Sequence, residues 1–581
     1  MTVSEFIFDF LQKKGVGTVY MVSGSSAMWL TDALCRNKDL KAVCCQHEQA
    51  AAMAADGYGR CNGIPGAALV TIGPGATNAV TGVAGAYVDS SPMFVISGQA
   101  NSKILQYQKD TGIRQKGTQS LVLGNLVGNI TKYFAEVMDP TDIRYHMERA
   151  YHEAMSGRKG PVWIDVPIDI QNKQIPEEME GFETPEIQTE DVKWEEIESA
   201  ITKAQKPLIL AGYGILSAGV RSELLSFARN CNIPIVTSRG GIGVISSSDP
   251  LFVGRPGSYG DRASHFAVQE CDLLLILGSR LAQSTTGYYP GHLAPDAVKI
   301  MVDIDEKELD KGDVPTDIRI QADLCRFIVE LNTRSLAWKC KDHNDWIAHC
   351  KKNKEKYPVV QASYAEEEGI NSYFFTQRLS ELSPDGTTVV VDTGSVCNIV
   401  SQSWELKADQ KYMISGGLSC MGFWASSIGA AANGETVIAL SGDGSTQMNI
   451  QEFATLKYYD LPIKLFVYNN KGYMLIRHNQ HNYMNDRFLG VGPDSGVPSV
   501  DFCAVGKAYD LPVVRIDDKT QIEEKVREVF DTDGPVICEV MVQEFGVIAP
   551  RIASRVMPDG SLKAAEFDDL WPFLDEGGTD A

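Results

Sequence analysis

The sequence predicts an α/β protein of three doubly wound parallel-sheet domains. Short runs rich in Val, Ile and Leu alternate with longer amphipathic or Ala-rich stretches along the whole chain, the pattern of parallel strands covered by helices. At 581 residues the chain is too long for one core. Two breaks divide it: residues 174–194 are dense in acids and Pro without periodicity, and residues 351–357 are polar and Lys-rich. The expected domains are therefore 1–175, 190–340 and 360–555, followed by a C-terminal tail over 556–581.

Strands are expected in the first domain at 18–22, 67–71, 93–97 and 162–166. In the second they are expected at 208–211, 235–237, 273–277 and 299–302, and in the third at 387–391, 436–440, 464–468 and 536–542. One echo links the outer domains. Gly160-Pro161-Val162-Trp163-Ile164-Asp165-Val166 closes the first, and Gly534-Pro535-Val536-Ile537-Cys538-Glu539-Val540 closes the third. Gly-Pro commonly precedes a strand, so chance recurrence stands beside the alternative of duplicated outer domains around a different middle one.

The composition, 44% hydrophobic and 22% charged, is that of a globular protein able to bury large cores. Its 75 acidic against 53 basic residues, a formal charge of −22, disfavour nucleic acid and anionic membranes as partners. No apolar run approaches the ~20 residues of a membrane span. The acidic, leaderless start does not read as a signal peptide. The 13 scattered cysteines argue for reduced thiols and a cytoplasmic location. Neither Cys44-Cys45 with His47, nor Cys340 and Cys350 with His343 and His349, has the paired spacing of a zinc site.

The sharpest chemical signal is Gly442-Asp443-Gly444, then 24 residues, then Asn469-Asn470. Each end follows an expected strand directly, so both fall at carboxyl ends of parallel strands, where ligands bind. A crossover helix is expected over 447–459. Asp443, the Asn470 amide oxygen and a carbonyl near Gly472 are hard oxygen donors suited to Mg²⁺ or Ca²⁺ bridging two phosphates. Gly444 and Ser445, at the following helix start, offer backbone N–H groups to phosphate oxygens. A lone Gly-Asp-Gly is usually an ordinary turn. The paired Asn and the flanking strands favour function.

On these motifs the sequence resembles the thiamine-diphosphate enzymes, and within them the catalytic subunit of acetolactate synthase and its relatives in sugar-modification pathways. The resemblance covers about residues 1–555. It implies pyrimidine-binding, middle and diphosphate-binding domains, in that order, with thiamine diphosphate as cofactor. Asp443, Asn470 and the carbonyl of Gly472 then correspond to the metal ligands. Gly394 and Ser395, with Gly442, correspond to diphosphate-binding segments.

The Ala-rich helix expected from His47-Glu48-Gln49 to Arg60 carries an acid at its start, which by itself serves the helix dipole. The resemblance makes Glu48 the cofactor-activating glutamate, hydrogen-bonded to the aminopyrimidine and working by proton exchange. Gly73-Pro74-Gly75-Ala76-Thr77-Asn78 matches a loop lining the same site, so Gly73, Pro74 and Asn78 are implied cofactor contacts. Gly416-Gly417-Leu418-Ser419-Cys420-Met421 resembles the segment whose large apolar residue bends the cofactor. Ser419 and Met421 are implied there, although core packing is the usual task of a Met. With Glu48 in the first domain and Asp443 in the third, the resemblance implies a homodimer or homotetramer with its active site at a subunit interface.

In the middle domain, Gly212-Tyr213-Gly214, Arg239-Gly240-Gly241 and Gly278-Ser279-Arg280 are Gly-rich strand ends, each more often structural than ligand-binding when taken alone. The resembled synthases hold FAD in this domain in a non-redox role, which makes FAD a candidate here. Departures lie on the substrate side. Gln119 matches a substrate-side glutamine, but Ser120 and Val122 follow it where the synthase has acids. Ile168 stands in place of a lysine, the run Leu281 to Gly287 lacks an arginine, and no Trp lies between Asn470 and Val500. The tail motif Asp568-Asp569-Leu570-Trp571-Pro572-Phe573-Leu574 is similar to synthase-like proteins of surface-sugar pathways. The implied reaction is decarboxylation of a 2-keto acid such as pyruvate and transfer of the two-carbon unit to a small-molecule carbonyl acceptor, a keto-sugar or a second keto acid. A simple decarboxylase, a C–C hydrolase of a cyclic diketone and an inactive homologue are the alternatives.

Overall fold

The computed structural model describes residues 1–185, 192–556 and 562–574. Residues 186–191 of the expected linker, and 557–561 and 575–581 of the expected tail, lie outside the described residues.

Three six-stranded, fully parallel sheets follow one another along the chain. The first contains β1 (Thr18–Met21), β2 (Lys41–Cys44), β3 (Gly66–Val70), β4 (Met93–Gln99), β5 (Tyr133–Glu136) and β6 (Pro161–Pro167), in the spatial order β2-β1-β3-β4-β6-β5. The second contains β7 (Pro207–Ala211), β8 (Ile235–Thr237), β9 (Phe252–Gly254), β10 (Leu273–Leu277), β11 (Val298–Asp303) and β12 (Ile318–Gln321). Its order is β12-β11-β10-β7-β8-β9. The third contains β13 (Thr388–Val391), β14 (Lys411–Ile414), β15 (Val437–Gly442), β16 (Ile463–Asn469), β17 (Val513–Ile516) and β18 (Val536–Met541), ordered β14-β13-β15-β16-β18-β17.

The outer sheets thus share one topology, and the Gly-Pro echo marks the same place in both, β6 and β18. The middle sheet, read from β9, has the 3-2-1-4-5-6 order of dinucleotide-binding folds.

All twelve strands expected from the sequence are present, with ends shifted by at most two residues. The six strands the sequence does not announce are the six sheet edges: β2, β5, β9, β12, β14 and β17. An edge strand pairs on one side only and is partly open to solvent, so it need not be a continuous apolar run. Lys41–Cys44 and Ile318–Gln321, with one buried residue each, illustrate this. An antiparallel pair, Ser554–Val556 with Leu562–Ala564, is likewise unannounced.

Side chains alternate across the strands. In the first sheet, Ala67 and Leu69 face a core under helices Val3–Lys13 and Ile143–Met155, whereas Ala68 and Val70 face helix Glu48–Asn62. That second core is continuous with Val390, Val437, Leu465 and Ile537 of the third sheet. Helix Glu48–Asn62 and helix Ser426–Ala430 touch backbone to backbone at the join: a Cβ on Gly57 would stand 2.0 Å from the Ser426 carbonyl oxygen, and one on Gly429 would stand 1.7 Å from that of Ala54.

The expectation of thirteen reduced thiols is corrected at one pair. Cys231 and Cys340 form a disulfide, with Cα atoms 5.2 Å apart. Packing of helix Arg221–Asn230 on helix Leu324–Ser335 brings together positions 109 apart, which spacing alone does not reveal. Among the described residues, the one group of acids and thiols close enough to hold an ion is Asp501, Cys503 and Glu539. There the Arg515 guanidinium already lies 2.7 Å from Asp501 and 2.6 Å from Glu539. No described helix is long and apolar enough to cross a membrane.

Candidate active site

In an open parallel sheet, ligands bind outside the carboxyl ends of the strands where the strand order reverses. In the third sheet that point lies between β13 and β15. Gly394 and Ser395 follow β13, and Asp443 follows β15.

The helix after β15 begins at Asp443 itself, not at 447, and it is broken. Asp443–Met448 is followed by a 3₁₀ turn, Ile450–Glu452, and then by Phe453–Tyr459. The break is at Asn449 (φ −131°, ψ 29°), whose side chain donates to the Gly422 carbonyl at 2.9 Å and so competes with the helical ladder.

Asp443 is buried, and its Oδ1 accepts the Gly444 N–H at 2.9 Å. Its Oδ2 accepts the Gly472 N–H at 2.7 Å. Burial pushes its carboxyl up to about 6, against the opposing pull of these two bonds. Lys471 (φ +56°) and Gly472 (φ +141°) make the tight turn after Asn470. Only glycine fits at 472, since a Cβ would stand 2.1 Å from the Val491 carbonyl oxygen. The Asn470 side-chain oxygen is buried without a hydrogen-bond partner. An orphaned amide oxygen on the turn that Asp443 grips is the donor set a hard divalent cation takes, so the residues fit a metal.

Ser445 is buried within the first turn of the Asp443 helix. Gly394 (φ +80°) opens helix Ser395–Ser403. Thr393 and Ser419 hydroxyls meet at 2.6 Å, joining this loop to the segment that carries the half-buried Met421.

Sequence reasoning missed Asp392. Fully buried, it accepts from the backbone of Thr393, Phe423 and Trp424 and from the Ser441 hydroxyl, tying β13, β15 and the Met421 segment together. Burial pushes it up to about 6. Its position directly after a strand, like that of Asp443, was the available signal. Asp89 was missed as well; it accepts the N–H groups of Gly416 and Gly417 ahead of Met421.

In the first sheet the order reverses between β1 and β3. Glu48 is buried at the first position of its helix; His47 caps that helix, Nδ1 accepting the Gln49 N–H at 3.1 Å. Asn78, from helix Pro74–Val88, donates to Glu48 Oε2 at 2.9 Å. Gly73 (φ +59°) packs on the exposed Gln119, whose carbonyl oxygen would lie 2.5 Å from a Cβ there. The structure therefore gathers Glu48, Gly73, Pro74, Asn78 and Gln119 at one sheet, and the remaining candidates at the other. Among the described residues no hydrogen bond joins Glu48 to the third-domain group.

In the middle sheet the reversal lies between β7 and β10. Gly212 and Gly278 (φ +60°) meet there; a Cβ on Gly212 would stand 2.0 Å from the Gly278 carbonyl oxygen. A cleft of 1760 Å³ opens at this point, lined by Tyr213, Gly240, Arg280 and Asp303 among others.

Comparison with known proteins bears on all three sheets. Family models described as thiamine pyrophosphate enzyme, N-terminal TPP binding domain, central domain and C-terminal TPP binding domain match residues 1–125, 194–331 and 392–540. The probable acetolactate synthase large subunit of Methanocaldococcus jannaschii is 30% identical over 98% of both chains. The acetolactate synthase large subunit of Lactococcus lactis is 30% identical over 96% of this chain and 95% of its own. The acetolactate synthase isozyme 2 large subunit of Escherichia coli is 29% identical over 95% and 97%. With three sheets matched in order and near full-length similarity, the chain belongs to the thiamine pyrophosphate enzyme family and is homologous to acetolactate synthase large subunits.

Proposed function

We propose that the chain is a thiamine-diphosphate-dependent 2-keto acid decarboxylating carboligase that transfers a two-carbon acyl unit from pyruvate to a carbonyl acceptor, a keto-sugar or a second keto acid. The observation that carries this reading is the orphaned, buried Asn470 oxygen on the turn whose Gly472 N–H binds Asp443. Asp443, Asn470 and the Gly472 carbonyl would hold Mg²⁺, and backbone N–H groups at Gly444, Ser445 and Gly394–Ser395 would hold the diphosphate. When bound, the cofactor supplies the nucleophilic carbon and the electron sink for decarboxylation.

The chain's own residues do the rest. Glu48 would exchange a proton with the cofactor ring, and Asn78 occupies Oε2, leaving Oε1 available. Met421 would supply the apolar side chain that wedges against the cofactor. Gln119, beside Gly73, would face the substrate.

A site at a subunit interface is supported by the lack, among the described residues, of any hydrogen bond between the Glu48 carboxyl and the Asp443 group within one chain. It is supported too by exposed apolar residues on the segments that carry Met421 and Asp443, Leu418 and Met448. The assembly this reading calls for is a homodimer or homotetramer. The 3-2-1-4-5-6 sheet and its cleft support FAD in the middle domain, which a visible flavin spectrum would test. The absence of a Trp between Asn470 and Val500, and Ile168 in place of a lysine, favour an acceptor other than that of the synthases, or a decarboxylase or diketone hydrolase as the second reading.

The test is incubation with thiamine diphosphate, Mg²⁺ and pyruvate, with and without keto-acid and keto-sugar acceptors, with products identified by mass. Carbon dioxide with a two-carbon adduct of the acceptor is expected. Carbon dioxide with free acetaldehyde supports the decarboxylase, and no carbon dioxide from any 2-keto acid overturns the proposal.

A further inference from the structure

The break in the Asp443 helix sends a side chain out of its own domain. Glu452, at the end of the turn that follows Asn449, is fully buried. Its Oε1 accepts the backbone N–H groups of Gln46 at 2.9 Å and His47 at 3.0 Å. Its Oε2 lies 3.2 Å from the same Gln46 nitrogen and accepts the Thr455 hydroxyl at 2.6 Å. Among the described residues it has no ion-pair partner. Burial pushes the carboxyl up to about 7, opposed by these hydrogen bonds. A buried carboxyl without a cation is costly, so its three neutral donors need a use.

The use is visible in what they belong to. Gln46 and His47 immediately precede Glu48. Tyr459, from the same third-domain crossover, accepts the Cys44 N–H at 2.7 Å on its hydroxyl. The N–H groups of Cys44, at the end of β2, and of Gln46 and His47 in the loop are thus collected by third-domain side chains, whereas that of Cys45 goes to the Met21 carbonyl of β1 and the Glu48 carboxyl is held by Asn78 from its own domain. The loop sets where the helix starts, and the helix start sets where the Glu48 carboxyl lies.

We propose that Glu452 is a positioning residue for Glu48, fixing the 44–47 loop, and through it the Glu48 carboxyl, by hydrogen bonds that reach across from the third domain. This rests on the reading of Glu48 as the cofactor-activating acid.

The variants are Glu452→Ala, which removes the acceptor, and Glu452→Gln, which keeps an oxygen in reach of both N–H groups. Three quantities separate positioning from general damage: amide hydrogen exchange over residues 44–49 in the cofactor-free protein, the dissociation constants of thiamine diphosphate and Mg²⁺, and the rate at which the bound cofactor's thiazolium proton exchanges with deuterium before substrate is added. In Glu452→Ala, amide exchange at 46 and 47 should rise and thiazolium exchange and kcat should fall together, by about tenfold or more given the sensitivity of catalysis to ångström-scale misplacement. The dissociation constants should stay within about twofold, since no proposed diphosphate or metal contact is touched. Glu452→Gln should recover most of the loss. Wild-type thiazolium exchange in Glu452→Ala, or a loss that only follows weakened cofactor binding, overturns the proposal. Should Glu452→Ala fail to fold, Glu452→Asp, which retracts the carboxylate by one methylene, carries the same expectation and the same refutation. Glu48→Gln run in parallel keeps the two readings apart. If it retains thiazolium exchange, the assignment of Glu48 fails; if it abolishes exchange while Glu452→Ala does not change it, only the role of Glu452 fails.

Discussion

Asp443 accepts the Gly472 N–H at 2.7 Å, so a carboxylate at the end of β15 fixes the turn at the end of β16, and the Asn470 oxygen on that turn is left buried and unpaired. A buried acceptor without a partner costs on the order of 1–3 kcal/mol. Such a cost is retained where a ligand removes it.

Asn470→Leu should therefore separate stability from function. In urea denaturation without metal, the variant is expected to be as stable as the wild type or about 1 kcal/mol more stable. Its Mg²⁺-dependent cofactor affinity, measured by calorimetry, should drop by about a hundredfold, at the upper end of what even outer-shell changes cost. A strongly destabilised metal-free protein would contradict the assignment.

Glu48→Gln is expected to abolish turnover while leaving metal-dependent cofactor binding largely intact, because Asp443 and Asn470 lie on another sheet. Steady-state rates beside a calorimetric titration check both halves.

Gly57→Ala and Gly429→Ala should each destabilise the protein by about 3 kcal/mol or more, since the new methyl meets a backbone carbonyl that no rotamer change can move. Urea midpoints report the loss, and protease sensitivity between the first and third sheets should rise with it.

Asp165 supplies a pH dependence away from the proposed metal. It is fully buried between Ser97 and Gln99, and burial pushes it up to about 7 from an unfolded value near 3.8. A raised carboxyl favours the folded state below the unfolded value, and that contribution is lost as pH rises through the folded one. The wild type should therefore lose stability from about pH 4 to pH 7 by an amount bounded near 4 kcal/mol for this group. Subtracting the urea midpoints of Asp165→Asn across the same range isolates the effect, and parallel curves would refute it.

The legible part of the fold was its interior. Leu273–Leu277 and the first four residues of Val437–Gly442 are buried on both faces and between two neighbours, so their sequences are continuous apolar runs with one reading. Lys41–Cys44 and Ile318–Gln321 lie at sheet edges, and their sequences were indistinguishable from loops. In the candidate site, Asp443 and Asn470 were legible because each follows such an interior strand. Asp392 follows one too, but its partners at 423, 424 and 441 come from other segments.

By itself, then, the sequence determined the α/β class, the twelve interior strands and the residues at their carboxyl ends, because burial and strand periodicity act over a few neighbouring positions. Only the tertiary structure decided which strands lie at the edges, that Cys231 meets Cys340, that Asp392 holds the Met421 segment, and that Glu452 reaches the loop before Glu48. Those are pairings between positions from about 30 to 400 apart, set by how whole sheets pack, and no local pattern of residue types encodes them.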